Sequence, residues 1–109
     1  MMDLLGPSLE DLFCFCGRSL SLETVLMIGR QLISQVSVLH SKGFLHLDIK
    51  PENTLIRLDS SPRLCLVDLG QSTRYLLGSQ HYPLEHNQPF HGSLLFSSPD
   101  SHLGRTLSR

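Results

Sequence analysis

The chain has 109 residues, of which 40% are hydrophobic, and its formal net charge at pH 7 is −1. This length predicts one domain at most, and the near-neutral charge with 6% aromatic residues gives no basis for binding a nucleic acid or a membrane surface. No apolar run approaches the roughly 20 residues of a membrane span, we expect no secretory signal, and an odd number of cysteines, three, favours reduced thiols in the cytoplasm or nucleus.

A short helix is predicted near the start of the chain, over about residues 8–16. In the sequence GPSLEDLF, Ser8 can cap the helix, and Asp11 stands three residues later as the acid of a capping box. Gly17 marks the expected end.

A longer helix is predicted over residues 21–42. Ser21 can cap it, Glu23 suits the positive end of its dipole, and Gly43 can stop it. Its apolar positions recur at helical spacing, which is typical of a face packed in the core. They are Leu22, Val25, Leu26, Leu32, Ile33 and Val36, with His40 in the same series.

Two short strands follow, TLIRL at 54–58 and RLCLVDL at 63–69. Between them, an aspartate, two serines and a proline at 59–62 are typical of a turn. Both strands are apolar on both faces, so we expect them to be largely covered. Residues 71–98 show no clear period, and a loop of that length is either functional or disordered. The predicted fold class is α+β, mainly helical, with a short β-hairpin and a long loop.

Polar residues crowd the sequence HLDIKPEN, residues 46–53, directly before the predicted hairpin. A hairpin brings its two ends together, so Asp48 and Asn53 at one end should converge with Asp68 at the other. The oxygens of Asn53 and Asp68 suit a hard cation such as Mg²⁺. Asp48 could accept a proton from a hydroxyl group, and Lys50 could neutralise a phosphate.

HLDIKPEN is similar to the protein-kinase catalytic loop H-R-D-x-K-P-x-N, and DLG at 68–70 is similar to the kinase D-F-G. The flanking stretches LLGPSLEDLF, VLHSKGFLHLDIKPEN and SHLG resemble the casein kinase I family of serine/threonine kinases, nearly end to end. The resemblance implies a partial kinase domain of the C-lobe type. It would comprise the hinge, two helices, the catalytic loop, DLG and the activation segment.

The resemblance implies a role for each residue of the motifs. Asp48 matches the catalytic base, Lys50 the residue that steadies the transferring phosphoryl group, and His46 the histidine that holds the loop. Asn53 and Asp68 match the magnesium ligands. The cofactors implied are ATP and Mg²⁺, and the substrates are proteins with serine or threonine hydroxyls.

The nucleotide site implied by the same resemblance begins at MDLLG, which looks like the hinge. The backbones of Asp3 and Leu5 would meet adenine, and Leu55 and Val67 would lie beneath the ring. Ser93 stands where the family has a threonine that supports the catalytic aspartate and lysine.

Three leucines depart from the family pattern. Leu47 replaces the arginine of H-R-D, so a phosphorylated activation loop could not be held from that position. Leu69 replaces the phenylalanine of D-F-G and should keep an apolar contact. Leu95 replaces an arginine of the activation segment, which bears on the family's preference for acidic or phosphorylated substrates.

Two kinase parts do not occur in the 109 residues, namely a G-x-G-x-x-G loop and a V-A-I-K lysine. We therefore expect the N-lobe and the end of the C-lobe to be absent, which would leave the apolar face of the long helix uncovered and prone to self-association. Two functions stay open: an active serine/threonine kinase, and a catalytically inactive fragment that acts as a binding module or is a gene remnant.

Metal binding by cysteine or histidine is a weaker alternative. Cys14 and Cys16 diverge on a helix and Cys65 falls in a predicted strand, so a four-ligand zinc site is not expected. His81, His86 and His91 stand five residues apart, and a solvated loop is the favoured interpretation.

Overall fold

The computed structural model describes residues 4–58 and 63–109. Its contacts divide the chain into two compact units. The first comprises the described residues up to Gln35 together with Lys50–Val67, and the second comprises Val36–Ile49 and Asp68–Arg109. No helix in the described part of the chain is both long enough and apolar enough to cross a membrane.

Both helices and strands are present in the described residues, which confirms the mixed α+β character that the sequence predicted. The elements in chain order are β1 (Leu5–Ser8), α1 (Leu9–Phe15), α2 (Leu22–Ser41), β2 (Phe44–Leu45), β3 (Thr54–Arg57), β4 (Leu64–Leu66), β5 (Thr73–Arg74), β6 (Leu76–Leu77), β7 (Gln80–His81) and α3 (Pro99–His102), with short 3₁₀ turns at Pro51–Asn53 and Leu69–Gln71.

Helix α1 begins with the predicted capping box. The Asp11 N–H donates to the Ser8 hydroxyl at 3.1 Å, and the Ser8 N–H donates to Asp11 Oδ2 at 2.9 Å. The side-chain and backbone hydrogen bonds from Ser8 lower the pKa of Asp11 from its ordinary value of 3.8. The helix ends at Phe15, shortly before Gly17 turns the chain with a φ of 65°.

Helix α2 begins and ends close to where the sequence predicted, but its apolar face is not a core face. Ser21 caps it, accepting from the Thr24 N–H at 3.2 Å. None of the helix residues is buried; Leu22, for example, is 74% exposed and Ile33 is 72% exposed. The prediction of core packing was therefore wrong. Helical spacing shows that one side of a helix is apolar, but only a second element laid on that side can bury it.

The first unit contains an antiparallel sheet with the strand order β1-β3-β4. The predicted hairpin is present as β3 and β4, although β4 is shorter than RLCLVDL, and the predicted turn at 59–62 lies outside the described residues. Thr54 is fully buried and the other residues of these two strands are half-buried, which confirms the expectation that the strands are largely covered. Strand β1 was not predicted, because its short sequence contains both Gly6 and Pro7.

Two glutamines of α2 bond to the backbone of β4. Gln31 Oε1 accepts from the Leu64 N–H at 2.9 Å. Gln35 accepts from the Leu66 N–H at 2.9 Å and donates to the Leu64 carbonyl at 3.1 Å. These side chains occupy backbone groups of an edge strand that would otherwise remain available for pairing. The sequence shows that the two glutamines are four residues apart, but it does not show that they bond to β4.

The second unit is built around two short strand pairs, β2 with β5 and β6 with β7. Its buried apolar residues are Leu45 and Tyr75. The Tyr75 hydroxyl donates to the His40 carbonyl at 3.0 Å, and the Tyr75 N–H donates to the Gly43 carbonyl at 3.1 Å. The stretch 71–98, predicted as one irregular loop, therefore contains three strands of two residues each, β5, β6 and β7, which are too short to produce a visible period.

Candidate active site

His46 and Asp48 are the most deeply buried polar residues of the loop that follows β2, at 2% and 3% exposure. The Asp48 N–H donates to His46 Nδ1 at 3.3 Å. The His46 carbonyl accepts from the Ser72 hydroxyl at 3.2 Å. Between them, Leu47 adopts a φ of 70°, a left-handed conformation that a leucine rarely occupies. The histidine ring thus fixes the backbone on which Asp48 is carried.

The side chain of Asp48 is held by Ser93. The Ser93 hydroxyl donates to Asp48 Oδ1 at 2.7 Å, a length typical of a strong bond to a carboxylate. The preceding residue, Gly92, has a φ of 92°, and a Cβ at this position would lie 2.6 Å from the Leu47 carbonyl oxygen. Only glycine allows this approach. The segment carrying Ser93 is therefore packed against the loop carrying Asp48.

Asp68 begins the 3₁₀ turn Leu69–Gln71 in a left-handed conformation, with a φ of 65°. Its Oδ1 accepts from the Gly70 N–H at 3.2 Å, and the residue as a whole is exposed. At the end of the same turn, Gln71 Oε1 accepts from the Gly92 N–H at 2.8 Å. Leu69 is 57% exposed, and the apolar contact expected of it stays a prediction.

In the first unit, Lys50 and Asn53 flank the turn Pro51–Asn53. The Lys50 carbonyl accepts from the Asn53 N–H and from the Thr54 hydroxyl, both at 3.1 Å. Asn53 is buried, and its carbonyl accepts from the Val67 N–H at 2.9 Å. Proline at the first position of the turn fixes φ where the chain leaves extended geometry. These bonds join the turn Pro51–Asn53 to the hairpin within the first unit.

One face of the sheet carries the apolar residues predicted to lie beneath adenine. Leu55 stands opposite Cys65, and Leu5 stands opposite Arg57. Because side chains alternate along a strand and Val67 is two residues beyond Cys65, Leu5, Leu55 and Val67 share a face. Asp3, the other predicted hinge residue, lies outside the described residues.

The structure brings Asp48, Ser93 and His46 together in the second unit. It places Lys50, Asn53, Leu55 and Val67 in the first unit. That Asp48, Asn53 and Asp68 face one cleft stays a prediction. Gln71 and Ser72 were not predicted as part of the site, because nothing in a glutamine or a serine reveals a partner 21 or 26 residues away.

The cysteine and histidine alternatives gain no support from the positions of these residues. Cys14, Cys16 and Cys65 are free thiols. His81 is bonded through Nε2 to the Ser108 hydroxyl at 2.9 Å. Within residues 4–58 and 63–109, no three histidine, cysteine or acidic side chains are grouped so that they could hold one metal ion.

A comparison with protein families gives the class to which the chain belongs. The family model described as protein kinase domain matches residues 4–105. The class defined by that match is the phosphotransferases that move a phosphoryl group to a protein. The chain belongs to the protein kinase domain family, whose members generally use ATP and Mg²⁺.

Proposed function

We propose that the chain is a serine/threonine protein kinase of the casein kinase I type, which transfers the γ-phosphoryl group of ATP to hydroxyl groups of proteins. The observation that carries this proposal is the hydrogen bond of 2.7 Å from the Ser93 hydroxyl to Asp48 Oδ1. It joins the sequence motif HLDIKPEN to the segment where the resemblance expects a supporting hydroxyl. The lysine two residues after Asp48 is the form found in serine/threonine kinases.

Asp48 is suited to act as the base that receives the proton of the acceptor hydroxyl. A general base must be held within hydrogen-bonding reach of the proton it takes. Here the backbone is fixed by His46 and the carboxylate is oriented by Ser93. Lys50 would steady the transferring group, since an ammonium offsets the negative charge of phosphoryl oxygens.

Asn53 and Asp68 would hold Mg²⁺. An amide oxygen and a carboxylate are donors that this cation accepts, alongside the phosphate oxygens of ATP. The metal supplies positive charge that stabilises the phosphates during transfer. Asp68 is exposed, so its carboxylate can be reached from solvent. The face of the sheet that carries Leu5, Leu55 and Val67 would hold the adenine ring, with the backbones of Asp3 and Leu5 at its edge.

The acceptor proteins are expected to differ from those the resemblance would suggest. Leu95 is 90% exposed and presents an apolar side chain where the family pattern has arginine. A leucine cannot pair with a phosphate or an acidic side chain. We therefore propose acceptors that are not selected for acidic or phosphorylated neighbours at this position.

A catalytically inactive binding module, or a gene remnant, is the second candidate. It is favoured by the exposed apolar residues of α2, among them Leu22 and Leu26, at 74% and 64% exposure. Exposed apolar patches mark surfaces that associate with other molecules. The two candidates predict different results in a phosphoryl-transfer assay.

The assay uses radiolabelled ATP, Mg²⁺ and a protein substrate. Phosphoryl transfer needs a glycine-rich loop and a lysine to position the phosphates, and neither occurs in the 109 residues. The assay is therefore run on the chain itself and on a fusion to a kinase N-lobe that supplies both. The kinase proposal predicts that the fusion is active and that Asp48→Asn lowers its rate by about 10²–10⁴-fold.

The matched control is Asp100→Asn, because Asp100 is exposed, pairs with Arg105 at 3.2 Å and is not part of the motif. It should leave the rate unchanged. A folded fusion without activity would reject the kinase proposal in favour of the binding module. Strong Asp48-dependent transfer by the 109 residues alone would reject the inactive alternative.

A further inference from the structure

An apolar cavity of about 120 Å³ lies in the first unit, on the face of the sheet opposite Leu55. Ile56 and Leu64 form a cross-strand pair on this face, and helices α1 and α2 supply most of the remaining wall. The main lining residues, all half-buried, are Leu9, Leu12, Leu20, Ile28, Ile56 and Leu64. The cavity is therefore separate from the residues proposed for phosphoryl transfer.

Each of the two polar side chains in the lining makes a hydrogen bond to another group of the protein. Thr24 Oγ1 shares a hydrogen bond of 2.9 Å with the Ser21 hydroxyl. Gln31 Oε1 accepts from the Leu64 N–H at 2.9 Å. The cavity is partly open to solvent, but an ordered water needs two to four polar partners and the lining offers few. Water is therefore a poor occupant of this cavity.

The size of the cavity limits what can fill it. An apolar cavity of about 150 Å³ is large enough to hold benzene or xenon, and 120 Å³ is close to that volume. Met27, also in the lining, is 53% exposed. An unbranched methionine side chain changes conformation easily, so it can admit a ligand from solvent without movement of the backbone.

We propose that this cavity is a binding site for a small uncharged aromatic molecule of the size of a single benzene ring. The ring would contact Ile28 of α2 together with Ile56 and Leu64 of the sheet. A charged group on the ring would lose its hydration in a lining that is mostly aliphatic and carries no ionised side chain. Ligands of this site are therefore neutral rings, and charged rings of equal size are excluded.

The test is a titration of the 109-residue chain with benzene, followed through the NMR signals of ¹³C-labelled isoleucine and leucine methyl groups. The proposal predicts saturable shifts at Ile28, Ile56 and Leu64, and none at Ile33, which is on the same helix as Ile28 but is 72% exposed. Benzenesulfonate should give no saturable shift at any of these methyls. Absence of saturation with benzene would overturn the proposal.

A matched pair of variants separates the cavity from the surface. Ile28→Phe places a ring in the cavity and should weaken benzene binding by about tenfold or more, through loss of volume. Ile33→Phe makes the same chemical change outside the lining and should leave the affinity unchanged. Equal affinity in both variants would overturn the proposal. The titration of the unsubstituted chain decides the question by itself if Ile28→Phe does not fold.

Discussion

The Ser93 hydroxyl and the Asp48 carboxylate, 45 residues apart in sequence, are joined by a hydrogen bond of 2.7 Å. Asp48 is 3% exposed, so the carboxylate has little water to replace a lost partner. A serine in an otherwise irregular segment is therefore a structural support for the residue proposed as the catalytic base.

Loss of the Ser93 hydroxyl should destabilise the second unit. We expect Ser93→Ala to lower the free energy of unfolding by about 1–3 kcal/mol, because a buried charged group loses a donor. Ser93→Thr keeps the hydroxyl and should cost less. Urea unfolding of the 109-residue chain measures both. Ser79→Ala, in an exposed turn, is the control and should stay within about 0.5 kcal/mol of the unsubstituted chain. Equal stability of all three variants would contradict the assigned role.

Gly92 and Gly78 offer a matched test of the close approach beside Asp48. Both have positive φ, 92° and 65°, but a Cβ at Gly78 meets nothing within 4 Å. We expect Gly78→Ala to cost about 1–2 kcal/mol from backbone strain. At Gly92 the Cβ would also meet the Leu47 carbonyl at 2.6 Å, and a backbone atom cannot easily move aside. Gly92→Ala should therefore lower the free energy of unfolding by about 1–3 kcal/mol more than Gly78→Ala does. Urea unfolding measures both variants. A smaller loss at Gly92 than at Gly78 would argue against the packing described.

Removal of the Asp68 carboxylate should weaken the use of Mg²⁺ rather than the proton transfer. In the N-lobe fusion, we expect Asp68→Asn to raise the Mg²⁺ concentration needed for half-maximal rate by at least about tenfold. Loss of a residue that only hydrogen-bonds to a metal ligand already weakens metal binding by about that factor. The measurement is the phosphorylation rate against Mg²⁺ concentration, with Asp100→Asn as control. An unchanged Mg²⁺ dependence would remove Asp68 from the proposed ligand set.

The exposed apolar side of α2 should drive self-association of the chain. Leu26 is 64% exposed, and a charge there opposes burial against a second molecule. We expect Leu26→Lys to raise the dissociation constant of self-association by about tenfold, measured by sedimentation. Ser34→Lys adds the same charge at an exposed polar position of the helix and should have a smaller effect. A chain that is monomeric before substitution would show that this surface does not self-associate.

Acidification should destabilise the second unit through His40. Burial lowers the pKa of His40 from its ordinary value of 6.5, and repulsion from Arg109 adds a smaller effect in the same direction. As the pH falls through 6.5, the unfolded chain therefore takes up the proton before the folded chain does, and stability is lost. The urea concentration at the unfolding midpoint should decrease when the pH is lowered from 7.5 to 5.5. This decrease should be smaller in His40→Gln. His86→Gln, at an exposed position, should keep the full dependence. The same slope in both variants would exclude His40 as the cause.

The sequence by itself determined the local structures whose partners are close along the chain. The capping box of Ser8 and Asp11 joins residues three apart, the long helix carries its own cap and stop, and the two hairpin strands are close together in the sequence. Such features depend on propensity and on hydrogen bonds within one turn of chain. The order and spacing of HLDIKPEN and DLG likewise identified the family without any coordinates, because those motifs are themselves local.

Only the tertiary structure decided which side chains meet across long separations and which apolar faces are covered. Ser93 bonds to Asp48, and Gln31 and Gln35 bond to β4, through contacts that no periodicity encodes, since a hydroxyl or an amide can bond to almost any polar group. Burial of α2 depended on whether another element lies against its apolar side, which is a property of the assembled chain. Hydrophobic burial is non-directional, so an apolar stripe shows what a helix can bury and leaves open whether it is buried.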